Sequence, residues 1–356
     1  MSFEQLLTTD EYALSAQEKN TSLVKGLIEL TNYHKKHCPK YANILKAIGY
    51  QGQNCIALED IPFIPVNLFK NLKLHSIPNN NDIVTVLNSS STTGQNPSQI
   101  FIDKETSRRQ SLALTKSIKS IAGDKRLPML IIDAPSTIKQ KPLTARGAGI
   151  LGLMRFGHSH CFALDERLNL DVSLVEQFLR QHGTGPFIIF GFTFMAWYYF
   201  LKECPTTTDL SNGILIHSGG WKKMQNQSVS PTDFKIGFQE KTNLCNCVNF
   251  YGLVEQIGSI YLEGCKGLLY PPAFSDVIIR DPYSLEPVPH GEEGLIQLLS
   301  LLPLSYPGHS ILTSDMGILH KSPESTMPGL EITRRVPRAE IRGCSDTHAF
   351  KAEGDQ

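Results

Sequence analysis

Three short segments of this chain carry residue types that can do chemistry, and a cysteine follows them. Ser89, Ser90, Ser91, Thr92, Thr93 and Gly94 form a hydroxyl-rich loop after an apolar run. Backbone N–H groups and hydroxyls there can wrap an anion at a strand end. No Gly-Lys-Ser/Thr follows, so this is not the lysine-bearing phosphate loop, and taken alone the string reads as a solvated turn. In NFYGLVEQ, 249–256, Tyr251 ends a strand-like run and offers a ring to a purine. Gly252 permits close backbone approach, and Glu255 offers a hard oxygen donor to Mg²⁺ on a triphosphate. Each residue singly reads as well as core or surface. Asp315, in ILTSDMG, has two carboxylate oxygens that suit a ribose cis-diol, or it caps a turn with Thr313 and Ser314. Cys344 has Arg342 before it and His348 after it, cations that raise the thiolate fraction of a neighbouring thiol.

These residues need elements to position them. Asp82 to Leu87, Leu127 to Asp133, Phe187 to Phe190, Gly213 to His217 and Cys245 to Phe250 read as strands. Leu174 to Gln181, Phe194 to Lys202 and Asp233 to Asn243 read as helices between them. That alternation predicts an α/β architecture with a mainly parallel sheet. Asp276 to Arg280 and Gly294 to Leu302 follow as strands without intervening helices, which predicts a smaller, more antiparallel β subdomain. Residues 1 to 75 read as helical and irregular, with Gly49 capping a short helix and IPFIPVNLFK, 61–70, as an extended connector. The aromatic run from Ile189 to Phe200 contains Gly191, Phe192 and Thr193 at a strand end, which read equally well as the wall of an acyl channel or as plain core.

Composition removes several classes. The 34 Lys+Arg balance 34 Asp+Glu, so no basic excess points to nucleic acid. The N-terminus lacks the basic and apolar regions of a signal peptide, and no apolar stretch is long enough to span a membrane. Eight scattered cysteines without a framework read as reduced thiols, which makes a cytoplasmic location the expectation and zinc an improbable ligand.

The ordered set resembles the adenylate-forming superfamily of acyl and aryl ligases. More narrowly, IPFIPVNLFK, SSSTTG, IFGFTF, HSGGWKK, FYGLVEQ and EIRGCS are similar, in that order, to the acyl-protein synthetases of bacterial bioluminescence. The resemblance implies stacked α/β subdomains plus a smaller β subdomain, without the large C-terminal swinging domain of acyl-CoA ligases. It implies ATP and Mg²⁺. Ser89 to Gly94 would hold the phosphates, Gly219, Gly220, Tyr251 and Gly252 the adenine, Glu255 the metal, and Asp315 with Arg335 the ribose region. Cys344 would accept the acyl group, and the residues from 336 to 356 would be a short tail beyond a 76–335 core. Ser98 stands where larger relatives often place a lysine, Ser314 where they place a glycine, and Pro337 near a hinge acid. A chain ending so soon after Arg335 is expected to use an internal thiol rather than coenzyme A. The implied activity is ATP-dependent transfer of a long-chain fatty acid to Cys344. The implied partners are an acyl-protein reductase, which would use NADPH, and an acyl-transferase or thioesterase. Rival readings are a minimal acyl- or aryl-CoA ligase and a non-catalytic nucleotide- or acyl-binding scaffold.

Overall fold

The computed structural model describes residues 1, 3–9, 15–52, 56–89, 97–140, 143–220, 229–321 and 327–336. Its strands, in chain order, are β1 (Ile64–Pro65), β2 (Ile83–Asn88), β3 (Gln99–Asp103), β4 (Leu127–Ile132), β5 (Gly157–Phe162), β6 (Phe187–Phe192) and β7 (Gly213–Ser218). There follow β8 (Asn246–Tyr251), β9 (Tyr261–Glu263), β10 (Leu269–Tyr270), β11 (Ser275–Arg280), β12 (Glu293–Ser300), β13 (Ser310–His320) and β14 (Gly329–Arg335). Twelve of them make one sheet in the order β11-β12-β13-β14-β10-β9-β8-β7-β6-β4-β5, with β1 added beside β13.

One half is parallel: β5, β4, β6, β7 and β8 all run the same way. From β9 onward each neighbour is antiparallel. The strands expected to form a separate small subdomain therefore hydrogen-bond into the same sheet as the parallel ones. The apolar runs of the parallel strands are continuous because both faces are covered. Leu130, Phe187, Ile189 and Leu215 pack on one side against Val175, Phe178, Phe200, Phe234 and Phe238 from helices. Met129, Ile131, Ile188, Phe190 and Ile216 pack on the other against Ile118, Ile150 and Leu153.

Helix starts follow local chemistry. Ser15 and Glu18 form a reciprocal capping box for Ala16–His37. Asp103 accepts from the Thr106 N–H at 2.7 Å to open Lys104–Ala122, and Ser230 with Pro231 opens Pro231–Thr242. Gly49, at φ +72°, follows the short helix Pro39–Ala47 as the sequence suggested.

The connector at 61–70 is extended only in part. Its Ile64 and Pro65 pair in parallel with Ile311 and Leu312, and a helical turn, Leu68–Asn71, follows. Within the Ala16–His37 helix, Leu23, Leu27 and Leu30 lie on one stripe against Phe274, Leu299, Leu301 and Leu302. Arg109 joins this seam, 3.4 Å from Glu4 and stacked over Phe3. Leu27 is fully buried there. Leu27→Ala is expected to lower global stability by about 2–5 kcal/mol, the usual cost of an apolar cavity, in urea denaturation followed by fluorescence. An unchanged midpoint would show that the N-terminal helices are not part of the cooperative core.

Candidate functional site

The hydroxyl-rich loop joins β2 to β3, so it sits at the turn of a two-stranded antiparallel ribbon rather than at a strand-to-helix turn. Ser89 and Ser98 close the neck. Ser89 N–H donates to the Ser98 carbonyl at 3.0 Å, and Ser98 N–H donates to Ser89 Oγ at 2.9 Å. Ser90, Ser91, Thr92, Thr93 and Gly94 lie outside the described residues, as do Arg342, Cys344 and His348. The inner face of the ribbon, Leu87, Ile100 and Ile102, packs with Ile64, Tyr306 and Ile311, which fixes the neck against β1 and β13.

Ser98, expected as a departure where relatives place a lysine, is fully buried, and its hydroxyl lies beside the Glu255 carboxylate. Glu255 is itself 5 % exposed, on the 3₁₀ turn Val254–Gln256. Burial pushes its carboxyl above the ordinary range; the Ser98 hydroxyl and the Lys70 and Arg335 charges oppose that without cancelling it. A carboxylate so placed is short of positive charge, which is what a hard divalent cation supplies. The donor fits magnesium in the usual pattern of one or two carboxylates completed by phosphate oxygens.

Tyr251 and Asp315 were expected as separate contacts to adenine and ribose. They are bonded to each other: the Tyr251 O–H donates to Asp315 Oδ2 at 2.7 Å. Burial, and then the Asp315 charge, drive the Tyr251 phenol far above its ordinary value, so it remains a donor. Arg335 lies directly across from Asp315 in the β13–β14 register, its Nε 3.5 Å from Oδ1. The Arg335 side chain is 63 % exposed while that of Asp315 is 11 % exposed. A pair open to water on one side contributes about 1 kcal/mol or less, so Arg335 is not spent on holding the fold. With one bond to each oxygen, Asp315 keeps further lone pairs for a diol.

A bulge aims this carboxylate. Leu295 pairs with Met316 and Gln297 with Leu312, so residues 313–315 of β13 face Ile296 alone. Thr313 Oγ1 accepts from the Asp315 N–H at 3.1 Å and secures the bend. The local turn chemistry that Thr313-Ser314-Asp315 suggested is present, and it leaves the Asp315 carboxylate itself uninvolved.

The parallel strands present a second row. Gly191, His217 and Asn249 are register partners across β6, β7 and β8, and Phe192, Ser218 and Phe250 form the next row. Gly219 follows at φ +86°, a conformation that favours glycine, with the Phe192 ring 3.4 Å from where a Cβ would sit. Among the described residues, no atom lies within 4 Å of where a Cβ on Gly220 would sit. Two other glycines serve the protein itself. A Cβ on Gly191 would lie 2.9 Å from the Ile132 side chain, and one on Gly252 would lie 3.2 Å from the Ser259 carbonyl. Gly252 therefore admits its own chain, where close approach to a ligand was expected. Thr193 is buried and bonds to His217. His217 and Ser98 were not selected from sequence; His217 stands directly before the Ser-Gly-Gly of HSGGWKK, the signal that could have found it.

Ligands of open parallel sheets bind beyond the carboxyl ends of the strands. Phe192, Thr193, Gly219, Gly220 and Tyr251 all lie at that edge. No helix among the described residues is long and apolar enough to cross a membrane.

Residues 3–351 match the family described as acyl-protein synthetase, LuxE. The long-chain-fatty-acid–luciferin-component ligase of Vibrio harveyi is 24% identical over 367 residues, covering 98% of this chain and 93% of its own. Its counterpart from Aliivibrio fischeri is 23% identical over 343 residues, covering 93% and 89%. Among solved structures, an open conformation of 2-hydroxyisobutyryl-CoA ligase with 2-HIB-AMP and CoA superposes at a TM-score of 0.68 with 16% identity. That match covers 91% of this chain and 76% of the ligase. The same ligase in its postadenylation state, with 2-HIB-AMP, gives 0.69 over 92% and 70%. The likeness is one of fold.

The raised Glu255 carboxyl makes a stability prediction. A group whose folded pKa lies above its unfolded value stabilises the fold most when protonated, and that contribution is lost as pH rises through the folded pKa. Glu255→Gln, neutral throughout, should therefore stabilise the ligand-free protein at pH 7 by about 1 kcal/mol or more. The gain should shrink as pH falls through the carboxylate range. Denaturation at the two pH values checks this; a less stable variant at pH 7 would contradict it.

Proposed function

The chain belongs to the acyl-protein synthetase family, LuxE, and from that premise we propose that it is an ATP-dependent ligase that activates a long-chain fatty acid and then carries the acyl group on its own Cys344. The observation that carries the reading is the Tyr251–Asp315–Arg335 unit beside Gly219 and Gly220, on a sheet edge shared with Thr193. Tyr251 would flank the adenine with its ring, its hydroxyl held by Asp315. The remaining lone pairs of Asp315 would accept from ribose hydroxyls, and the exposed Arg335 would face the adjacent oxygens. The hydroxyls and N–H groups of 89–94 would donate to the phosphates.

In the first half-reaction one oxygen of the fatty carboxylate attacks the α-phosphorus, the bond to pyrophosphate breaks, and an acyl-adenylate remains. A carboxylate is a poor acyl donor because its leaving group would be oxide; the mixed anhydride offers AMP instead. Glu255 would hold Mg²⁺, which when bound supplies charge neutralisation to the phosphate oxygens. In the second half-reaction the Cys344 thiolate attacks the acyl carbon, AMP leaves with the electron pair, and a thioester forms. We place the adenylating core at 76–335 and the acyl-accepting segment at 336–356. A reductase that receives the acyl group, and a cytoplasmic location, complete the proposal.

ATP–pyrophosphate exchange tests the assignment. Cys344→Ser should keep exchange dependent on fatty acid while losing the hydroxylamine-sensitive acyl label. Asp315→Ala should weaken nucleotide binding by about 1.5–3 kcal/mol, the worth of a charged acceptor. Retained label in the first variant would move the acyl acceptor elsewhere in the chain. Normal exchange in the second would remove Asp315 from the nucleotide site.

A further inference from the structure

His217 has a bonding pattern that the reaction above does not use. Its side chain is buried at 5 % exposure, stacked on Phe234 with ring centroids 4.5 Å apart. Nδ1 lies 3.0 Å from Thr193 Oγ1, while Nε2 is buried with no hydrogen-bond partner among the described residues. Burial, with the Lys235 charge adding to it, pulls the imidazole down to about 3, so it is neutral at ordinary pH. A neutral ring carries one hydrogen. If Nδ1 held it, Thr193 Oγ1 would be the acceptor, and both the Thr193 hydrogen and the Nε2 lone pair would be left without a described partner. If Thr193 donates to Nδ1, only the Nε2 hydrogen is unsatisfied. Because each unmet buried group costs about 1–3 kcal/mol, the second tautomer is favoured.

The position of this donor is as telling as its state. His217 is the register partner of Asn249, and Tyr251 lies two residues farther along β8. The three side chains therefore share one face of the sheet. One strand spacing and two residues of rise put the His217 and Tyr251 backbones about 8 Å apart, close enough for one bound molecule to touch both side chains. The surroundings are apolar: Phe194, Trp197 and Tyr199 are only partly buried and border the same cluster as Phe234. They belong to the segment after Thr193 that changes from α-helix to a π-helix at Ala196–Leu201. Such π segments are frequent at functional sites, where an extra residue widens the helix.

We propose, resting on the ligase reading above, that His217 binds the carboxyl end of the fatty acid, its Nε2–H donating to the oxygen that remains as the acyl carbonyl in the adenylate. Thr193 fixes the tautomer, so its part is to position His217 rather than to touch the chain. A neutral donor suits this place because it can follow the oxygen from carboxylate to the uncharged carbonyl of the mixed anhydride without holding a charge that would have to be neutralised afterwards.

The test combines kinetics with a readout that needs no turnover. In pyrophosphate exchange, His217→Phe should raise KM for the fatty acid about tenfold, the equivalent of one hydrogen bond, with KM for ATP unchanged. His217→Gln, whose amide can reach the Nε2 position, should recover most of that loss. Equal fatty-acid KM values in wild type and His217→Phe would overturn the proposal and leave His217 a packing residue. Should the variants not fold, wild-type protein labelled with ¹⁵N-histidine decides. A protonated Nε2 whose resonance moves on adding palmitate supports the assignment; a resonance unmoved at saturating palmitate overturns it. Wild-type protein that exchanges no pyrophosphate with any long-chain fatty acid would defeat the ligase reading itself, and the palmitate titration would still judge the donor.

Discussion

The 2.7 Å hydrogen bond between Tyr251 and Asp315 ties together two distant parts of the sheet. The two residues stand on β8 and β13, which are four places apart in the sheet order. In a flat sheet four spacings come to about 19 Å, farther than a tyrosine and an aspartate can span. The antiparallel half must therefore curl until its β13 edge faces the carboxyl ends of the parallel strands. Short β9 and β10, of three and two residues, permit that curvature, and the β13 bulge completes it by turning Asp315 inward. The nucleotide pocket proposed above is the space that this curl encloses.

Much of the parallel half was legible in the sequence because β4, β6 and β7 carry continuous apolar runs; β5, whose residues are GHSHCF, has no such run and was missed. Gly213 to His217 was one strand residue short of the structure, and Leu127 to Asp133 was one too long. Pairing was harder to read. Nothing local says that β4 lies between β5 and β6, or that Ile64 runs parallel to Ile311. The return strand of the β2–β3 ribbon, Gln99–Asp103, was missed because the helix that begins at Lys104 continues directly from it. Tyr251, Glu255 and Asp315 were visible as a set only through a family resemblance. Their local sequences suit core, surface and turn equally well. Ser98 and His217 acquire their meaning only in three dimensions, one beside Glu255 and the other beside Thr193.

Two groups at the site are costly in the ligand-free fold, and a third is left to solvent. Glu255 is a buried carboxyl pushed upward by desolvation, Nε2 of His217 is a buried polar atom without a described partner, and Arg335 leaves most of its side chain in water. A protein selected for stability alone would bury apolar residues at the first two positions. Each of the three matches a need of the proposed reaction: a cation, a carboxyl oxygen and a phosphate or ribose oxygen. On that proposal the formal charge balance of the whole chain conceals a local arrangement whose missing partners the substrate would supply.

The central claim is that one chain both activates the fatty acid and receives it. Intact-mass measurement after incubation with Mg-ATP and a long-chain fatty acid tests this most directly. The account predicts a single adduct equal to the fatty acid minus water, absent without ATP, removed by hydroxylamine and located by peptide mapping at Cys344. An unmodified chain that nevertheless turns over ATP with fatty acid, or an adduct on any other residue, would contradict it.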